Sequence, residues 1–226
     1  TAQGNIISPV LANIYMHNVL TLWFQYIIAK ECKGECFLVV YADDFIAGFQ
    51  YPWEAERFYE QLRSRMVKFG LELEENKSRI VESGRYLASL KAKRGESTRL
   101  GTFDFLGFTF YCGRTTKGNP WIMPKTSSKK FRQKVKEIKI WLYNNKEQKL
   151  GKLMYMLNVK LVGHYRYYGI SFNSRMISNY KQQVRELLYK VLNRRSEKKS
   201  YTREGFIEMM KYYKLVNPKI YYSLFC

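Results

Sequence analysis

Two adjacent carboxylates, Asp43 and Asp44, lie between two short apolar runs in the stretch FLVVYADDFIAGF. Aspartate is common in turns, so the pair could be no more than an acidic hairpin tip. Neighbouring carboxylates also repel each other unless they share a cation, and paired carboxylates hold Mg²⁺ in enzymes that transfer phosphoryl groups. The residues by themselves leave both interpretations open.

The charge of the chain is high and unevenly distributed. The 226 residues carry a net charge of +20, yet residues 1–100 hold 13 Lys/Arg against 12 Asp/Glu, whereas residues 101–226 hold 26 against 7. Such asymmetry indicates a large polyanionic partner, RNA or DNA, bound mainly by the second half. Hydrophobic residues make up 46% of the chain, which is enough to build a core and excludes a disordered protein.

The four cysteines suit a reduced, cytoplasmic protein and do not form a disulfide framework. Cys32 and Cys36 form a C-x3-C pair, but there is no second pair and only two histidines, so a zinc site is not favoured. The longest apolar stretch, 19–29, is far too short for a bilayer, and no membrane partner is expected.

Hydrophobic periodicity in the first half predicts the elements that would position the acidic pair. The flanking apolar strands are expected to be buried, so that the tip is held rigidly. The predicted elements are a helix from Ser8-Pro9 (with Ser8 as its cap) to near Lys30, hairpin strands over 37–41 and 45–49, a helix from Pro52 to Gly70, a strand pair over 71–75 and 78–83 around Asn76-Lys77, a charged loop over 91–101, and a β-like run over 103–112 with a turn at Cys112-Gly113.

Residues 113–126 read as a loop or short ribbon and as the best domain boundary, and the pattern beyond them is helical. The sequence therefore predicts an α+β first half and an all-α basic second half. The predicted helices run from Ser127-Ser128 to about Leu142, and over about 150–167, 174–195 and 202–213.

Five ordered blocks resemble those of reverse transcriptases. YADD at 41–44 resembles their catalytic hairpin, and the second half resembles the maturase-specific thumb of bacterial group II intron proteins. The chain is thus similar to the C-terminal part of a bacterial group II intron-encoded reverse transcriptase/maturase. The remaining blocks are AQGNIISPVLANIY at 2–15, the helix at 54–69 with GLELEENKSRI at 70–80, FDFLGFTF at 103–110, and LNVKLVGHYRYYGI at 157–170 with residues 184–206.

This resemblance implies a partial right-hand polymerase palm of antiparallel hairpins packed on helices, followed by an all-α basic thumb. The palm with its primer grip would span 1–112, the linker 113–126, and the thumb or maturase-specific domain 127–226. The implied function is RNA-directed DNA synthesis together with binding of group II intron RNA in splicing and mobility. Its implied partners are intron RNA, an RNA template with a DNA primer, and dNTPs.

The resemblance also assigns roles to individual residues. Asp43 and Asp44 would be catalytic ligands of a two-Mg²⁺ site, and Lys77 would lie near the triphosphate, although an exposed turn lysine explains it too. Tyr165, Tyr167 and Tyr168 could stack on bases, but packing is the favoured interpretation. The other implied contacts are Gln3, Gly4, Tyr41 and Ala42 at the nascent base pair and primer end, Phe105, Leu106 and Gly107 in the primer grip, and Lys129, Lys130, Arg132, Lys134, Arg166, Arg194, Arg195, Lys198 and Lys199 on RNA phosphates.

Two departures from the family pattern are visible, since Ala2 and Asn5 stand where proline and glycine are usual. These enzymes also need a further aspartate, on a strand that precedes the first block, and the fingers that hold template and nucleotide. We therefore expect the metal site to be incomplete in these 226 residues, with a missing N-terminal half as a possible partner. The alternative is a non-enzymatic RNA-binding splicing factor that keeps the palm remnant as a scaffold.

The purified 226 residues alone are therefore expected to be inactive as a polymerase, because two carboxylates do not complete a two-metal site. Primer extension on poly(rA)/oligo(dT) measures this directly. DNA synthesis above the background of a protein-free reaction would show that the chain carries every group the reaction needs.

Overall fold

The computed structural model describes residues 7–74, 77–95, 100–194 and 201–224. The chain is α+β, with helices and two antiparallel sheets, as the sequence predicts. It divides into two compact units, Thr1–Glu82 and Ser83–Cys226. This division falls earlier in the chain than the predicted boundary at 113–126.

The first unit begins with the predicted long helix. It comprises α1 (Ser8–Met16), two π-helical segments at His17–Thr21 and Phe24–Ile28, and α2 (Ala29–Glu31). The predicted cap is wrong, because the helix starts at Ser8 itself and Ile7 occupies the cap position without a side-chain hydrogen bond.

A hairpin and a helix follow, as predicted. Strand β1 (Cys36–Tyr41) pairs antiparallel with β2 (Asp44–Phe49), and α3 (Pro52–Lys68) comes next. The hairpin is buried on one face only: Leu38 and Val40 of β1 pack toward the core, whereas Phe37 and Val39 are exposed. The expectation that both strands are buried is therefore only half correct, because the side chains of β1 alternate between the two faces.

The core of this unit lies between the first helix, α3 and the inner face of the hairpin. Trp23 stacks on Phe58 with ring centroids 5.7 Å apart, and Phe49 of β2 lies 5.1 Å from the same Phe58 ring. The buried core residues are Val19, Leu20, Trp23, Phe24, Ile28, Phe58, Leu62 and Met66.

The predicted strand pair over 71–83 is wrong, since the described residues of this segment contain no strand. Leu71 and Leu73 pack against the core, and the chain then turns where the backbone N–H groups of Lys77 and Ser78 both donate to the Glu74 carbonyl at 3.0 Å. The alternation of leucine and glutamate reflects burial of one side of an extended segment and not a paired strand. Asn76 lies outside the described residues.

The second unit begins with a helix that the sequence did not predict. Helix α4 (Arg85–Lys93) includes the first residues of the segment expected to be a charged loop, and it packs against β5 (Pro120–Thr126) with Ala88 buried. The lysines on its exposed side gave this segment the composition of a loop.

A three-stranded antiparallel sheet with the order β3-β4-β5 follows, made of β3 (Phe103–Phe105), β4 (Phe108–Arg114) and β5. The turn lies at Leu106-Gly107, and the predicted turn at Cys112-Gly113 is wrong because both residues pair with β5 inside β4. Of the two alternatives for 113–126, the ribbon is the correct one, since β4 and β5 are joined by a tight turn.

Helices α5 (Ser128–Asn144), α6 (Leu150–Tyr168), α7 (Ser174–Leu192) and α8 (Arg203–Tyr212) match the predicted ones. The predicted start of α5 is confirmed, since the Ser127 hydroxyl caps it by accepting the Lys130 N–H at 3.3 Å. In the described part of the chain, no helix has the length and apolar character needed to cross a membrane. The fully buried residues of the helical core are Leu142, Leu153, Leu157, Leu161, Tyr165, Val184, Leu188 and Val191.

One buried polar side chain joins the sheet to the helices. Asn173, in the loop between α6 and α7, has no exposed surface and makes three hydrogen bonds of 2.8 Å. Its amide oxygen accepts the Thr126 N–H, and its amide nitrogen donates to the Thr126 hydroxyl and to the Tyr168 carbonyl. The junction of β5 with α5 is thereby fixed to the end of α6.

Replacement of Asn173 by alanine should destabilise the protein by about 2–4 kcal/mol, because it leaves buried backbone groups without partners. The free energy of unfolding in urea, followed by circular dichroism, measures the loss. The matched control is Asn179→Ala, which removes the same amide from an exposed position of α7 and should change stability by less than about 0.5 kcal/mol. Equal effects of the two substitutions would contradict the assigned role of Asn173.

Candidate functional site

The acidic pair lies at the tip of the β1–β2 hairpin. Tyr41 and Asp44 form the last pair of the ladder, so Ala42 and Asp43 make a two-residue turn and Asp44 is the first residue of β2. Ala42 has φ 54, in the left-handed region that favours glycine. A strained non-glycine turn of this kind is typical of functional sites, where the surrounding structure holds it in place. Both carboxylates are exposed.

Lys77 lies close enough to this tip to respond to its charge. The Lys77 ammonium forms an ion pair with the Glu74 carboxylate at 2.5 Å, and this hydrogen bond is the main reason why the pKa of Lys77 is raised. The negative charges of Asp44 and Asp43 raise the pKa further. Lys77 therefore lies within electrostatic range of the acidic pair, while its direct partner is Glu74.

The open end of the hairpin is anchored by a buried carboxylate. Glu54, in the first turn of α3, is 1% exposed, and its Oε1 accepts the backbone N–H groups of Lys33 at 2.6 Å and Gly34 at 3.3 Å. The Glu35 N–H donates to the Gln50 side chain at 2.9 Å. The sequence shows Glu54 only as an acidic residue in a helical first turn, so its positioning role emerges from the fold.

The donor chemistry of the tip fits a hard divalent cation, because Mg²⁺ prefers carboxylate oxygens. Asp43 and Asp44 supply two such groups. Among residues 7–74, 77–95, 100–194 and 201–224, no group of three or more His, Cys, Asp or Glu side chains is arranged to hold a metal ion.

The segment predicted as a primer grip forms the β3–β4 turn. Leu106 and Gly107 have φ values of 49 and 79, and a Cβ at Gly107 would come within 3.2 Å of the Tyr168 hydroxyl. The Tyr167 hydroxyl donates to the Leu106 carbonyl and the Ser127 N–H donates to the Gly107 carbonyl, each at 2.9 Å. The turn is therefore fixed to the end of α6 and the start of α5.

Of the basic residues predicted to contact RNA, the structure describes those on α5, on α6 and directly after α7. Lys129, Lys130 and Arg132 are exposed, whereas Lys134 is half-buried and pairs with Glu137 at 2.8 Å. On α6, the side chain of Arg166 is also exposed. The predicted contacts Gln3, Gly4, Arg195, Lys198 and Lys199 lie outside the described residues.

Arg194, which follows α7, is held by an aromatic ring. Its guanidinium donates to the Tyr143 hydroxyl at 2.6 Å and lies 5.9 Å from the centre of that ring. This contact leaves the rest of the exposed guanidinium available to a ligand.

The three tyrosines near the end of α6 are packing residues. Tyr165 and Tyr168 are buried, so they are unable to stack on bases. Tyr167 remains 54% exposed, but its ring stacks on Phe108 at 5.9 Å and its hydroxyl is occupied by the Leu106 carbonyl. The preferred prediction of packing is therefore confirmed for Tyr165 and Tyr168.

His164 lies in the same aromatic cluster, and its pKa is lower than that of an ordinary histidine. Its ring stacks on Tyr180 with centroids 3.7 Å apart and planes 15° apart. Burial lowers the pKa of His164 to about 4, with a smaller contribution from the positive charge of Lys134. The imidazole is therefore neutral at physiological pH and belongs to the packing between α6 and α7.

Since the folded protein resists protonation of His164 and the unfolded chain does not, stability should fall as the pH drops through the unfolded value of about 6.5 toward about 4. The loss attributable to this residue is up to about 3 kcal/mol. Urea unfolding of the wild type and of His164→Phe across this range measures it. The variant keeps a stacked ring without a titrating group, so its stability should depend less on pH. Identical pH profiles would contradict the assignment.

Two family models match the chain, each over one part. Residues 1–110 match "Reverse transcriptase (RNA-dependent DNA polymerase)" and residues 128–213 match "Group II intron, maturase-specific domain". A comparison with curated protein sequences found no match. The two matched segments contain the acidic hairpin and the basic helices, respectively.

Proposed function

Because the chain belongs to the group II intron reverse transcriptase/maturase family, we propose that the tip of the β1–β2 hairpin is part of the polymerase active site. The family combines RNA-directed DNA synthesis with a maturase function in group II intron splicing. The observation that carries the proposal is the strained two-residue turn, which presents Asp43 and Asp44 on a hairpin packed from below. Two-residue hairpin turns commonly place a glycine in the left-handed region, so an alanine at φ 54 is the unusual feature of this acidic turn.

Asp43 and Asp44 are the residues of this chain that would hold Mg²⁺. When bound, the metal would neutralise charge on the triphosphate and activate the primer hydroxyl. Tyr41 and Ala42 would line the floor beside the primer end. Lys77 would add positive charge beside the triphosphate, after exchanging its contact with Glu74 for a phosphate oxygen.

In the second unit, the Leu106-Gly107 turn would support the primer backbone. Its carbonyls accept hydrogen bonds from the end of α6 and the start of α5, so the turn is rigid, and Gly107 adopts φ 79 without the strain that a side chain would bring. In this proposal β3 and β4 are the primer grip of a palm, and α5 to α8 are a thumb that binds template, primer and intron RNA through α5, α6 and the end of α7. The exposed cations of α5 supply the phosphate contacts.

A second candidate function is RNA binding without polymerisation, with the palm remnant as a scaffold. The observation that favours it concerns possible metal ligands. Among the described residues, no three His, Cys, Asp or Glu side chains are grouped so that they could hold a metal ion. The two functions differ at the acidic tip, because a scaffold does not need its carboxylates.

Substitution of both Asp43 and Asp44 by alanine should therefore abolish DNA synthesis, by at least about a hundredfold, without weakening RNA binding. Primer extension is measured on the chain joined to the preceding polymerase segment that the family implies. Binding of intron RNA is measured on the same proteins by filter retention.

The matched control is Glu56→Ala with Glu60→Ala, which removes two exposed carboxylates from α3 in the same unit. This control should leave both DNA synthesis and RNA binding unchanged. If the Asp43 and Asp44 substitutions also leave DNA synthesis unchanged, the tip is a scaffold and the second candidate function is correct.

A further inference from the structure

Residues 113–126 are predicted to be a linker, but they form part of the β4–β5 ribbon, and one face of this sheet has the chemistry of a binding surface. In the β4–β5 register, Thr109 lies opposite Lys125, Tyr111 opposite Met123, and Gly113 opposite Trp121. Because side chains alternate along a strand, these six residues share one face of the sheet. We call it the Tyr111–Trp121 face.

Two cations are held over aromatic rings of this face. The Lys125 ammonium lies 5.0 Å from the centre of the Tyr111 ring, and the Arg85 guanidinium, from α4, lies 4.5 Å from the centre of the Trp121 ring. A ring restricts the position of a cation without neutralising its charge. Both side chains are exposed, so they remain accessible to an anion.

In the described part of the chain, no carboxylate pairs with these two cations. Within the described ranges, neither Arg85 nor Lys125 forms an ion pair. Asp104 is near in the register, opposite Thr109, and its carboxylate accepts the hydroxyl of that threonine. Residues 83–126 carry eight Lys/Arg against two Asp/Glu, so the whole segment is electropositive.

We propose that the Tyr111–Trp121 face, with Arg85 and Lys125, is a binding site for the backbone of single-stranded RNA. This inference rests on the proposed function, because it adds a contact surface to a protein that binds RNA. Two cations held over rings suit phosphates of one strand, and the exposed edges of these half-buried rings suit contact with an unpaired base. Lys125 and Trp121 are four residues apart on β5, so their backbone positions are separated by about 13 Å along the strand.

The test compares the wild-type chain with the double variant Arg85→Gln, Lys125→Gln. Binding of a labelled single-stranded RNA, and of an RNA duplex of equal length, is measured over a range of salt concentrations. The dissociation constant for the single strand should rise about tenfold, and the slope of log K against log salt should fall by about 1–2. Duplex binding should change less.

The matched control is Arg203→Gln, Lys211→Gln. It removes the same two charges from α8, where Arg203 also lies over a ring, at 4.4 Å from Tyr189, but where both cations are paired with carboxylates. This control should bind single-stranded RNA within about twofold of the wild type. A second measurement avoids substitutions altogether: acetylation of Lys125, quantified by mass spectrometry, should be slowed by bound single-stranded RNA.

The outcomes separate this inference from the proposed function. If the wild-type chain binds no RNA, the proposed function fails. If it binds RNA but the Arg85, Lys125 variant binds equally well and Lys125 stays reactive, this inference fails alone. If duplex binding falls as much as single-strand binding, the assignment to single-stranded RNA is overturned.

Discussion

The position of the acidic tip depends on a cluster of three aromatic rings at the other end of its hairpin. Phe49, the last residue of β2, packs between Phe24 at 6.0 Å and Phe58 at 5.1 Å, and Phe24 and Phe58 are themselves in edge contact at 5.6 Å. An isolated two-stranded hairpin is marginally stable in water. Here the helices below the hairpin provide the buried area that additional strands would otherwise supply, so the carboxylates at the tip belong to a rigid element.

Both units use a buried polar side chain where a loop meets a secondary-structure element. Glu54 satisfies two backbone donors before β1, and Asn173 joins the start of α5 to the end of α6. Burying a carboxylate or an amide is costly unless hydrogen bonds replace those with water. Such groups therefore hold a single arrangement, since any shift of the loop leaves a donor or acceptor without a partner. Apolar packing alone would tolerate such shifts more easily.

The long helices and the acidic hairpin could be predicted because their hydrophobic periodicity extends over many residues. The predictions failed where the sequence pattern is short or where the element depends on another strand for pairing. Residues 71–74 alternate like a strand but pair with no strand in the described part of the chain. The β3–β4 turn places Leu106 at a positive φ, which the residue type does not indicate. Asp43 and Asp44 could be found because they are adjacent in sequence.

The candidate site has other components that no sequence pattern reveals. The contact of Glu54 with Lys33 joins residues 21 positions apart, and the cation–π contact of Arg85 with Trp121 depends on the packing of α4 against β5. Contacts of this kind are determined by tertiary packing. They follow neither from spacing nor from composition.

Aromatic residues have a second role in a chain with this charge. With 39 Lys/Arg and 19 Asp/Glu, one-to-one pairing would leave 20 cations without a carboxylate. Several are held by rings and carbonyls instead: Arg65 lies 4.9 Å from both the Trp23 and Phe69 rings and donates to the Val19 carbonyl, while Arg194 uses Tyr143. Because a ring positions a cation without cancelling its charge, the protein keeps the field that attracts a polyanion. The 16% aromatic content thus positions cations as well as filling the core.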